Sequence, residues 1–297
     1  MRQLLLLTTT LLLLACHDKQ SPMEEGNAVY YWRTELRLDS TERAFLEQYH
    51  INKVYCRYFD VVMRAPSDSL QGTTDSLAPM PNATITFRDT LPPDIEIIPT
   101  VFIVENCMHT KPEGMAKKLV QRIVQMNETN DIKGVKEIQI DCDYTSRSRK
   151  TYYDFLEEVR REAQAHGMRL STTIRLHQLS MKVPPADYGV LMLYNTGRPD
   201  NFPERNPILD IRDVNPYLRW LGDYDLPLAA AYPVFLWERT IHGVHIEHVA
   251  DEQEILQVKQ AVERNRGELR RSIITYDLET DNINRYKPET YEKIYSH

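Results

Sequence analysis

The sequence predicts a single (β/α)8 barrel, irregular between its second and third strands. Three observations predict it. Eight short stretches rich in β-branched and aromatic residues alternate with amphipathic patterns across residues 28–297, and strands separated by helices build parallel βαβ units, eight of which close a barrel. Polar residues gather where those stretches end, the face on which such barrels carry their sites. A doubly wound open sheet is the competing architecture, but neither G-x-G-x-x-G nor G-x-x-x-x-G-K-[ST] occurs, so no phosphate loop follows any strand and no nucleotide cofactor is expected.

Residues 1–15 stand outside that fold. Arg2 precedes Leu4–Leu14, a run apolar apart from three threonines, which is too short to span a membrane comfortably and ends at small Ala15, the pattern of a secretory signal. Leu13-Leu14-Ala15-Cys16 looks like a bacterial lipobox. The resemblance implies cleavage before Cys16 and its acylation, and several acyl chains hold a protein stably on a membrane. Residues 16–27 then form a flexible tether. His17 after the cysteine favours the outer membrane, on its periplasmic face or at the cell surface.

The barrel domain, 28–297, follows in order. Ala28–Leu36 is the first strand, with Glu35 at its end, and Ser40 caps a short helix to Tyr49. Lys53–Val62 is the second strand, with Asp60 near its exit. Ala65–Pro93 is a long polar excursion in place of a crossover helix, with a small hairpin around Thr84–Phe87. Ile95–Val104 is the third strand, delivering Glu105. In Gly114–Glu128, Leu119, Ile123 and Met126 form the buried stripe of a helix. Glu137–Thr145 is the fourth strand. Ser148–His166 is a helix that Gly167 stops. Arg169–Leu176 delivers Arg175, and Tyr188–Thr196 delivers Tyr194 and Asn195. Asn206–Leu221 reads as a helix broken at Pro216. Leu226–Phe235 is the seventh strand, Glu252–Arg266 a helix, Ser272–Leu278 the eighth strand carrying Asp277, and Lys287–Tyr295 a closing helix.

Composition excludes some functions. A net charge of −7 is the wrong sign for a nucleic-acid surface. With Cys16 lipidated, Cys56, Cys107 and Cys142 remain, an odd number that builds no disulfide framework. In apolar strands they act as small hydrophobes.

The fourth strand concentrates the chemistry. Ile138 and Ile140 alternate with Gln139 and Asp141, so Gln139, Asp141 and Asp143 share one side. Neighbouring carboxylates raise each other's proton affinity, and unpaired buried charge is expensive. The pair is therefore an acid site at the barrel mouth or a pair neutralised by nearby arginines. Glu35, Glu105 and Asp277 are candidates for a further acid, or strand-end residues paired to Arg33, Arg57 or Arg175. Tyr30, Tyr31, Trp32, Tyr58, Tyr232 and Trp237 offer stacking faces for sugar rings, or pack the barrel walls. His242, His245, Glu247 and His248 form a rival constellation. Histidines three apart share a helix face and imidazole binds metals, but a solvated loop or pH-sensitive lid explains them too. His-Glu-x-x-His is absent.

Two of these motifs carry a resemblance. Ile138-Gln139-Ile140-Asp141-Cys142-Asp143-Tyr144 looks like the fourth-strand signature of family-18 glycoside hydrolases, the chitinase type, and Asp187 followed by Tyr188–Gly197 resembles that family's sixth strand. Trp237 sits near where such barrels place a stacking tryptophan. The match covers strands four to eight. The fourth strand with Ser146–Arg149 and Tyr152-Tyr153 also resembles the uncharacterised bacterial domain-of-unknown-function family 3142. The chitinase resemblance implies Asp143 as general acid, Asp141 as its helper, and Tyr194 and Asn195 as hydrogen-bonding partners of the sugar. Gln139, Tyr232, Trp237, Arg175, Glu35, Glu105 and Asp277 would bind substrate. In that family the substrate supplies the nucleophile. The departures are as informative. Asp143 stands where a glutamate is expected, which leaves the proton about 1–1.5 Å short, and misplacement on that scale costs about a hundredfold. The chain is thus a glycan-active barrel, or a glycan-binding or structural lipoprotein that does not cut.

Overall fold

The computed structural model describes residues 25–65, 77–197, 205–241 and 244–297. The signal segment and Cys16 lie outside them. In chain order the elements are β1 (Gly26–Tyr31), β2 (Glu35–Leu36), α1 (Ser40–Gln48), β3 (Ile51–Arg64), β4 (Ala78–Asn82), β5 (Thr86–Phe87), β6 (Glu96–Ile103) and α2 (Met115–Thr129). Then come β7 (Glu137–Asp141), α3 (Arg149–Ala165), β8 (Arg169–Arg175), β9 (Tyr188–Met192), α4 (Ile211–Leu221) and β10 (Leu228–Pro233). The chain ends with β11 (Leu236–Ile241), β12 (Val244–Val249), α5 (Glu252–Asn265), β13 (Ser272–Tyr276), α6 (Thr280–Ile283) and α7 (Pro288–Ile294).

Eight of these strands close a parallel barrel in the order β1, β3, β6, β7, β8, β9, β10, β13 and back to β1. Closure is carried by Gly26↔Ser272 on one side of β1 and Ala28↔Lys53 on the other. The chain therefore has the α/β barrel architecture the alternation predicts. Its core has two layers. Ala28, Tyr30, Tyr55, Ile98, Val190, Ala229, Ala231 and Ile274 pack inside the ring, with alanines on β10 leaving room for the tyrosines. The larger layer lies between strands and helices. Cys56, Cys107 and Cys142 are buried and free, as their apolar settings predict.

Several local expectations are corrected. Asp39, not Ser40, caps α1: its carboxylate accepts from the Glu42 amide at 2.9 Å, and the Glu42 carboxylate accepts from the Asp39 amide at 3.0 Å. Asp39 stands three residues before Glu42, the spacing this reciprocal cap requires. The long excursion forms no local hairpin at Thr84–Phe87. Instead β4 returns antiparallel on the outer end of β3, Asp60↔Asn82 to Arg64↔Ala78, and β5 pairs in parallel with β2. Pro216 lies inside a continuous α4, whose buried Val214, Leu218 and Leu221 keep it on the barrel despite one missing N–H. β11 and β12 pair antiparallel, from Leu236↔Val249 to Ile241↔Val244, where the sequence reading has a solvated loop or lid, with a helix face as the metal-binding alternative.

Candidate functional site

β7 and β9 stop earlier than their sequence patterns do, and this builds the site. The last ladder residue of β7 is Asp141, paired with Phe102 of β6, and Arg175 of β8 pairs with Met192 of β9. Asp143 and Tyr194 therefore lie just past the strand ends. Asn195 holds φ at 53°, a left-handed turn that asparagine tolerates. A cavity of about 560 Å³ opens there, at the carboxyl end of the barrel, where Asp141, Asp143, Arg175, Tyr194 and Asn195 meet an aromatic wall of Trp32, Phe102, Phe235, Trp237 and Tyr276. A second cavity of about 270 Å³ shares Asp143, Arg175, Tyr194 and Asn195 and continues past them along Leu176, His177, Thr196 and Tyr217.

The two aspartates differ in setting. Asp141 is 3% exposed and accepts from Thr173 Oγ1 at 2.6 Å. Burial raises its pKa above the ordinary carboxylate range. The Arg175 guanidinium opposes that rise, and the nearby Asp143 charge adds to it. The Asp143 side chain is 56% exposed and is ion-paired to Arg175 Nε. Burial works against the Arg175 charge, but the two aspartates more than compensate and hold it firmly cationic. The Arg175 guanidinium lies 5.9 Å over the Tyr194 ring. Tyr194 is 5% exposed, and its hydroxyl has no hydrogen-bond partner among the described residues. Its ring packs on Tyr276 at 4.9 Å and edge-on to Phe235 at 5.9 Å. Arg57, also on the cavity, is paired to Asp60 through Nε at 2.8 Å and lies 5.6 Å over the Trp32 ring.

Of the residues expected at the site, Asp141, Asp143, Arg175, Tyr194, Asn195 and Trp237 converge on the cavity. Gln139 does not reach it. It is fully buried inside the ring and accepts from the Tyr30 hydroxyl at 2.8 Å. Tyr232 faces outward into the helix layer, because Ala229 and Ala231 take the inward positions of β10. Glu35 lies away from the cavity on β2, between Arg37 at 3.1 Å and Arg88 at 3.5 Å. Glu105 accepts from Thr145 Oγ1 at 2.6 Å and Ser148 Oγ at 2.7 Å, so it braces the loop that leaves Asp143. Asp277 accepts from Asn282 Nδ2 at 2.8 Å, and burial, aided by Glu279, pushes its pKa to about 7.

Trp32 joins Trp237 on the wall, whereas Tyr30 is inside the ring and Tyr31 and Tyr58 pack in the outer layer. His242 falls outside the described residues. Strand alternation separates the other two histidines: His248 is buried beside Trp237 and His245 is exposed. His245 instead lies with Glu238 and Glu247, at 3.8 and 3.5 Å, on the exposed face of the hairpin. Sequence reasoning did not find Phe102, Phe235 and Tyr276 as lining residues, although period-two alternation from Ile274 marks Tyr276 as inward-facing.

No protein-family model matches the chain, and no curated protein matches it. Solved structures do. The spore cortex-lytic enzyme SleL of Bacillus cereus superposes with a TM-score of 0.57 at 13% identity, over 93% of this chain and 75% of that one. A chitinase from Chromobacterium violaceum gives 0.55 at 13% identity, over 91% and 98%. Catalytic domain 2 of the Group II chitinase of Ostrinia furnacalis, solved with penta-N-acetylchitooctaose, gives 0.52 at 9% identity, over 91% and 95%. The chain has a chitinase-like TIM barrel, a fold shared with glycoside hydrolases.

Proposed function

We propose that this chain binds a glycan across the mouth of its barrel, and that acylated Cys16 tethers it to the outer membrane. One observation carries the glycan reading. A cavity walled by five aromatic side chains has Asp141, Asp143, Arg175, Tyr194 and Asn195 on one rim. Aromatic faces take the apolar faces of sugar rings, and convergent polar groups take their hydroxyls. The likeness of the barrel to chitinases supports the same ligand class. Binding is favoured over cleavage because Asp143, in the place of the family's acid, is one methylene short and held by Arg175.

Asp141 favours a second reading, hydrolysis. It lines the cavity, and burial first of all drives it toward the protonated form, the state a general acid needs. A panel of glycans, tested against residues 17–297 for both retention and release, separates the two. Trp237→Ala should weaken retention by about tenfold. Retention without release is the expected result for a binder; release that Asp141→Asn abolishes would establish hydrolysis. A panel in which no glycan is retained sinks the proposal. Cys16→Ser should move the full-length chain from membranes to the soluble fraction.

A further inference from the structure

We infer that the glycan this site takes carries a carboxylate, read by Arg175 and Tyr194. The inference rests on the glycan reading above and adds the chemical class of the sugar.

A guanidinium has five N–H donors in a fixed fork and needs acceptors for them when buried. Arg57 has found its own: Nε bonds Asp60 at 2.8 Å, Nη2 is on the same carboxylate, and Nη1 reaches the Trp32 carbonyl at 3.4 Å. Arg175 has not. Nε is on Asp143, Nη1 meets the Met192 thioether, a weak acceptor, and Nη2 is 3.6 Å from Asp141, too far for a hydrogen bond. Beside it the Tyr194 hydroxyl is buried with no partner among the described residues. Both residues line both cavities, and a ligand spanning the two passes beside them.

A sugar hydroxyl both donates and accepts, and a carbonyl offers one oxygen. A carboxylate is an acceptor only, and its two oxygens match the guanidinium fork. The aspartates do not close the site to it. Asp143 is already matched by Arg175 Nε, and Asp141 is turned to the Thr173 hydroxyl, which donates to it at 2.6 Å. Uronic acids and lactyl ethers of amino sugars both present such a group.

The test is calorimetric titration of the purified protein with two matched disaccharides, N,N′-diacetylchitobiose and the N-acetylglucosamine–N-acetylmuramic acid pair. These differ by one lactyl carboxylate. A hyaluronan tetrasaccharide is the uronate arm. One of the charged ligands should bind about tenfold or more tighter than diacetylchitobiose at low salt, and which of the two does so identifies the source of the carboxylate. Arg175→Gln should erase the preference. Arg175→Lys, which keeps the charge on Asp143 but loses the fork, should erase most of it without lowering the melting temperature. Equal affinity for all three sugars would overturn the carboxylate and leave the glycan reading standing. Binding of none of them would overturn the carboxylate inference, and the glycan reading falls with it only if the wider panel is not retained either. A preference that survives in both variants would overturn the role of Arg175.

Discussion

Tyr194 buries a hydroxyl that nothing in the described protein bonds. Such a group costs about 1–3 kcal/mol when left unsatisfied, so removing it should not harm the empty protein. Tyr194→Phe should keep or slightly raise the melting temperature, measured by calorimetry. The same variant should weaken the glycan that the wild type retains by about tenfold, because a ligand bond disappears. A drop in stability with unchanged affinity would show that the hydroxyl serves the fold. The sequence made Gln139, Asp141 and Asp143 equals on one side of a strand. It did not give depth. Each i+2 step moves a side chain about 6.5–7 Å along the strand, so Gln139 lies inside the ring, Asp141 at its rim and Asp143 on the open side of the cavity. Depth depends on where β7 ends and on which neighbour supplies the cation. Arg175 comes from β8, and no local pattern around residue 141 announces it.

The cap of α1 can be tested directly. Asp39 holds α1 through its bond from the Glu42 amide and also accepts from Thr280 Oγ1 of α6, so one carboxylate ties the first helix to the last strand's exit. Asp39→Ala should destabilise the protein by about 1 kcal/mol, within about 0.5–2. Ser40→Ala should change stability by less than about 0.5 kcal/mol. Urea midpoints of the two variants decide between them, and equal losses would return the cap to Ser40. The barrel strands and helices were legible because their periodicity is local. The excursion after β3 was not, since β4 pairs with a strand already built and β5 with distant β2. The pairing of β11 with β12 was not legible from the histidines, which read equally as a solvated loop or lid. Their spacing of three fits a helix, but Val244, Ile246 and His248 also alternate, and His242-Gly243 separates two such runs, a spacing that favours a hairpin.

Closing eight strands into one ring forces ionisable groups inside at both ends of the molecule. At the amino end of β7, Glu137 is fully buried, with Ser171 Oγ donating to it at 2.6 Å and Lys53 Nζ 4.0 Å away. Burial outweighs both and pushes its pKa to about 7. At the mouth, Asp277 is likewise pushed to about 7 by burial and then by Glu279. Their ordinary values are 4.5 and 3.8, so between roughly pH 4 and pH 7 the native state binds more protons than the unfolded one, and stability falls as pH rises through that window. Above about pH 7 both are charged in either state and the loss is complete. Asp39, Glu105 and Asp210 act in the opposite sense, because hydrogen bonds hold their pKa values low. Their contribution is lost only as pH falls through that lower range. The urea midpoint should therefore be higher at about pH 5 than at about pH 8. Asp277→Asn keeps an oxygen for the Asn282 amide and removes the charge, so it should narrow that difference chiefly by stabilising the protein at about pH 8. Glu137→Gln should gain less, because it also removes the attraction between that carboxylate and buried Lys53. A midpoint equally high at both pH values, or an Asp277→Asn variant with the wild-type slope, would mean that these carboxyls titrate as they do in the unfolded chain.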